Sequence, residues 1–177
     1  MHVEVTRMIT AWLEHDQYGV NTLLPKVPRL KLDGDEDPEP PAVTIFNDVD
    51  FTVIDSAGGI IKPPTTPSLV VISDGVARDD EIAQSQKKGH EILWDVGVGY
   101  YADGYREEGI VAGNYTLRAV MQSLVRFHGM RADGFREVNG VRAARITRLE
   151  MERVAPGVAS TLVGMVFARL IVLNKLP

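Results

Sequence analysis

No cysteine occurs among the 177 residues. Its absence excludes disulfide bonds, thiolate catalysis and any zinc or iron–sulfur site built on cysteine ligands. It leaves the compartment open, because a chain without cysteine tolerates either redox environment. Histidine is nearly as scarce: the four are His2, His15, His90 and His128, and no two stand at the spacing of a helical zinc site. Long apolar runs are missing too. None approaches the roughly 18 residues that span a bilayer, and Met1-His2-Val3-Glu4-Val5 lacks the basic-then-apolar order of a secretion signal. The expectation is a soluble protein with no membrane partner, acting where it is made. The nucleophile elbow, the Walker loop and the dinucleotide fingerprint are absent as well.

What is present is an ordinary globular composition, 45% hydrophobic and 24% charged. At this length the expectation is one domain, 1–177. The formal net charge of −5 is unevenly spread. Residues 1–108 carry 20 acidic and 9 basic side chains, a net of −11, and residues 109–177 carry 4 and 10, a net of +6. Either the two segments interleave so that the signs mix in space, or they form surfaces that pair with other copies of the chain.

Met8, Ile9, Trp12 and Leu13 fall on one helical face, which predicts a helix from Val3 to Asp16 with Trp12 as a core anchor. Residues 31–42, with three prolines and five carboxylates, read as an exposed acidic loop. The spacing does not match an EF-hand. Val43–Phe46 and Phe51–Ile54 read as two short strands, taken together as a small hairpin. Leu69–Ile72 suits a buried strand, and residues 73–89 a second polar loop. Ile92–Tyr101 alternates with period two. Its Gly97 and Gly99 predict close approach by another element, not a phosphate cradle. Glu107–His128 carries an apolar stripe at helical spacing, and Gly113 within it points to tight packing. Val141–Val154 interleaves arginines with apolar and acidic residues, with a slip in spacing between Arg142 and Arg145 that predicts a bulge. Asn139-Gly140 and Pro156-Gly157 are turn signals. Thr161–Leu173 is apolar on both faces. This order predicts an α+β fold: an antiparallel sheet of about four strands, two helices packed on one face, an inserted small hairpin and long polar loops.

Chemistry is hard to find. His15 lies between Glu14 and Asp16, but adjacent helical residues point apart. His128 reads as a helix-terminal residue, and His90 has no nucleophile motif near it. The carboxylates sit in loops, without the apolar setting that raises a pKa for acid–base work. Arg142, Arg145 and Arg148 could meet phosphates, yet the acidic total and the neighbouring Glu150 and Glu152 favour salt-bridged structural arginines. The expectation is that the chain is not an enzyme and binds no cofactor and no metal. A small α+β enzyme and a nucleic-acid-binding domain are the alternatives.

An N-terminal amphipathic helix is followed by Pro67–Ser73 (PSLVVIS), a charged loop, and then His90–Asp103 (HEILWDVGVGYYAD). A helix of about twenty residues and a terminal strand pair follow. This order resembles the tail terminator and related head–tail joining (neck) proteins of tailed bacteriophages, with residues 31–62 as a loop or hairpin insertion. The resemblance implies a structural virion protein, assembled in the host cytoplasm, that forms a homo-oligomeric ring, commonly a hexamer. The ring ends the tail tube and joins it to head-completion or connector proteins. DNA would pass through the lumen without specific binding, and an acidic lumen would avoid its phosphates. Other head-completion or tail-tube subunits are the nearest variants. The charge division adds candidate interface residues: Arg142, Arg145, Arg148 and Arg153 on the basic side, and Asp35, Glu36, Asp37, Asp79, Asp80 and Glu81 on the acidic side.

Overall fold

The computed structural model describes residues 2–32, 34–47, 63–76, 91–103, 107–127, 141–151 and 161–173. In chain order these form α1 (His2–Leu13), the short α2 (Val20–Leu23), a 3₁₀ turn (Leu24–Lys26), β1 (Lys31–Leu32), β2 (Asp35–Glu36), β3 (Thr44–Asn47), β4 (Ser68–Val76), β5 (Glu91–Ala102), α3 (Glu107–Val125), β6 (Val141–Met151) and β7 (Thr161–Leu173). The class is α+β, with a five-stranded sheet in the order β3-β4-β5-β7-β6 and a separate two-residue ribbon, β1-β2. The sheet is mixed and not purely antiparallel: β3 runs parallel to β4, and every other neighbour is antiparallel.

That parallel strand corrects the expected four-stranded sheet. Thr44–Asn47 pairs with Ser68–Val71, and the twenty residues between the two strands meet the dozen or more that a parallel return needs. Burial explains why the short strand joins the main sheet: Val43 and Ile45 are 5% and 8% exposed and belong to the core. The side chain of Asn21 also clamps the start of β3, donating from Nδ2 to the Val43 carbonyl and accepting the Val43 N–H at Oδ1, both at 2.9 Å. Phe51–Ile54, the other half of the expected hairpin, lies outside the described residues, as do the turn signals at 139–140 and 156–157.

Period-two alternation places Trp94, Val96, Val98, Tyr100 and Ala102 of β5 on one face, with Val166, Ala168 and Leu170 of β7 and Leu69 and Val71 of β4 beside them in register. α1 and α3 both pack on that face and complete a single core with Ile9, Trp12, Leu13, Leu117, Val120 and Leu124. Trp12 is the anchor its position suggests. It is 2% exposed, and its indole N–H donates to the Ser123 carbonyl at 2.9 Å, joining α1 to α3. α3 ends three residues before His128, and its last residue, Val125, is 61% exposed. Gly113 behaves as expected: a β-carbon there would stand 2.8 Å from Val163 Cγ1 and 2.9 Å from Tyr100 Cδ1.

The opposite face of the sheet carries no helix among the described residues. Gly97 and Gly99 open it to side chains from the neighbouring strand, because a β-carbon at Gly97 would stand 2.8 Å from Met165 Cε and one at Gly99 2.9 Å from Leu162 Cδ1. Met165, Phe167 and Ile171 lie half-buried there. Among the described residues β7 is therefore fully covered on one face only, whereas its sequence suggests burial on both.

Candidate subunit interface

β6 ends the sheet, with β7 as its one strand neighbour among the described residues. Its arginines alone would alternate poorly, since residues three apart on a regular strand face opposite sides. Two register shifts change this, one between Val141 and Ala143 and one between Ile146 and Arg148. The first leaves Arg142 at a bulge, close to the slip read from the sequence. The second makes Thr147 the extra residue, so that Arg145 and Arg148 come to one face, opposite Arg169 and Phe167. Arg148 lies 4.0 Å over the Phe167 ring and 2.9 Å from Glu150. Arg169 is held by Asp95 through two contacts, Nε to Oδ1 at 2.7 Å and Nη2 to Oδ2 at 2.9 Å. Arg145 is exposed and makes no ion pair among the described residues. On the other face of β6, Leu149 and Met151 remain 44% and 41% exposed. Arg153 lies outside the described residues.

The acidic candidates divide differently. Asp79, Asp80 and Glu81 lie outside the described residues. Asp35 is in β2, and Glu36 is already paired with Arg29 at 3.2 Å and Lys31 at 3.4 Å. Asp37 Oδ2 accepts the Tyr115 hydroxyl at 2.6 Å, and that hydroxyl in turn accepts the Leu30 N–H at 2.8 Å. The 31–42 segment is thus mostly exposed, as its composition suggests, and is tethered to α3 through Asp37. Gly34, at φ 92°, makes the turn of the ribbon.

Sequence reasoning missed what this segment forms next. Pro38, Glu39, Pro40 and Pro41 wall a groove of about 420 Å³ against the end of β5, the start of α3 and Pro67. Three carboxylates line it, Glu39, Asp103 and Glu108, and all three are exposed without an ion pair among the described residues. Tyr100 lines it from the core side; it is 1% exposed, and its hydroxyl makes no hydrogen bond among the described residues. Burial pushes the Tyr100 phenol up from 10.0 to about 12. No stretch of sequence could have announced this groove, because its walls come from four separated segments.

The raised phenol fixes a pH dependence. Above pH 10 the unfolded chain loses the Tyr100 proton while the folded chain keeps it, so stability is complete below pH 10 and falls as the pH climbs towards 12. The fall attributable to this group is about 3 kcal/mol, at 1.36 kcal/mol for each pKa unit. Urea denaturation between pH 9 and 12 should show a smaller loss in Tyr100→Phe than in the parent chain. Equal losses would mean that the phenol is not desolvated.

Among the described residues no group of three or more histidines, aspartates or glutamates is arranged to hold a metal ion. The described histidine ring, His15, stacks on Tyr18 at 5.4 Å, meets Trp12 at a tilt at 5.3 Å and accepts the Gln17 N–H at Nδ1. His90 and His128 lie outside the described residues. No helix among the described residues is long and apolar enough to cross a membrane. Compared with known proteins, the chain matches no family model and no curated sequence. Among the described residues two features stand out: an arginine-bearing sheet edge and an acidic groove on the other half of the sheet.

Proposed function

We propose that the chain is a structural subunit that works by assembling with its own copies into a ring, at the end of a phage tail tube where the tail joins the head–neck connector. The observation that carries this reading is the separation of opposite charge onto opposite halves of one sheet. Arg145 and Arg148 stand on β6, the end strand of the sheet among the described residues, while Glu39, Asp103 and Glu108 gather on the β3–β4–β5 side. Patches that differ on the two sides of a subunit make heterologous contacts, which close into rings when the rotation allows. The α+β fold and the order of elements add support from the resemblance to tail terminator and neck proteins. In this reading the chain is not an enzyme, its partners are the tail-tube protein and the head-completion proteins, and it resides in the virion.

The test is sedimentation velocity of the purified chain over a range of concentration and salt. Exposed complementary charges are screened within about 10 Å at 0.1 M salt. A species of one defined size should therefore accumulate with concentration at about 50 mM salt and dissociate at about 500 mM. A strict monomer at every salt and concentration removes the support for self-assembly.

A further inference from the structure

We infer that the proline-walled groove at the start of α3 receives the β6 edge of a second copy, with Arg145 of that copy entering among Glu39, Asp103 and Glu108. The inference rests on the ring reading and gives it a contact. Three carboxylates in one groove have no cation among the described residues, while Arg145 on β6 is exposed and makes no ion pair there. A guanidinium presents five N–H donors in a fixed fork and meets carboxylates in pairs of hydrogen bonds. The Tyr100 hydroxyl supplies a further acceptor. The residue lines the groove, and its hydroxyl makes no hydrogen bond among the described residues.

Placement makes the contact repeatable. The groove is lined by the end of β5, by the residue before β4 and by the segment leading into β3, whereas β6 is the other edge of the sheet. A copy that inserts its β6 edge into one neighbour still offers its own groove to the next. The contact is head-to-tail, and a closed circle of such contacts leaves neither surface unused.

The absence of native cysteine allows a clean test. Glu39→Cys and Arg145→Cys are made as separate full-length chains, both at exposed positions, and mixed under mild oxidation at low salt. The expected result is a covalent dimer from the mixture and little from either chain alone, with the Glu39→Cys/Arg145→Cys double variant giving a ladder that stops at the ring number. In parallel, Glu39→Lys/Glu108→Lys and Arg145→Glu should each weaken association at least tenfold. The variant carrying all three changes should recover most of it, because the complementary signs are merely exchanged. Self-linking of Arg145→Cys alone would show two β6 edges meeting each other and would overturn the head-to-tail contact. Association unchanged by the charge reversals would overturn the groove as the receiving surface while leaving the ring intact. A parent chain that stays monomeric and unlinked would remove both the contact and the ring.

Discussion

Trp12→Ala is expected to lower the unfolding free energy by about 4 kcal/mol, within the range for deleting a buried large aromatic. Against the 5–15 kcal/mol or so that holds a typical domain together, that loss brings the chain close to unfolding at room temperature. The reason is position as much as size. Trp12 is 2% exposed, meets the Phe127 ring edge-on at 5.1 Å and stacks on Tyr18 at 5.6 Å. It also carries the indole hydrogen bond that ties α1 to α3. Trp12→Phe separates these contributions. It keeps much of the apolar bulk and removes the donor, and the Ser123 carbonyl still accepts the Arg126 N–H at 3.1 Å. That variant should cost about 1–2 kcal/mol, the sum of one net hydrogen bond and a modest loss of volume. Urea midpoints of the two variants decide the matter, and equal losses would mean that the ring volume contributes nothing.

Gly164→Ala is expected to destabilise by about 3 kcal/mol, at the upper end for overpacking a closed site. A β-carbon at this position would stand 2.6 Å from the Glu150 carbonyl oxygen, 2.9 Å from Met151 Sδ and 3.0 Å from Leu117 Cδ1. The nearest of these is backbone in the paired strand, so relief requires β6 to move away from β7. Gly97→Ala is the control. Its closest contact is Met165 Cε at 2.8 Å, the end of a flexible side chain that can swing aside, and the cost should stay under about 1 kcal/mol. The comparison also reaches function. Displacing β6 displaces Arg145, so Gly164→Ala should weaken self-association where Gly97→Ala leaves it intact. Thermal melts and sedimentation of the pair check both halves, and similar behaviour of the two variants would show that β6 tolerates movement.

The parts of the fold that local pattern controls were legible. The alternation from Ile92 to Tyr101 gives β5 its two faces, the stripe through Leu117 and Leu124 gives α3, and Gly113 and Gly97 mark close approaches that the packing contains. The parts set by distant partners were not. Nothing in Val43–Phe46 says that its neighbour will be β4 in parallel, because that choice depends on the long connection and on the Asn21 clamp. The register shift at Thr147 was equally hidden, although it brings Arg145 and Arg148 together. The acidic segment is mostly exposed, as its carboxylates and prolines suggest, but its composition did not show that Asp37 is fixed by Tyr115, 78 residues away, or that Pro40 is buried. The charge division between the two segments was visible in the sequence. Its meaning was not, since three arginine–carboxylate contacts, at Asp95, Glu150 and Glu36, use some of the charge within the subunit.

The most direct test of the central claim is localisation in whole particles. Tailed particles produced by the cell that encodes this chain would be purified and imaged by electron microscopy with a labelled antibody against it. The account predicts label confined to the junction between head and tail, with the chain present in a small fixed number of copies per particle. Label spread over the capsid or along the tail, or particles that lack the chain altogether, would contradict it.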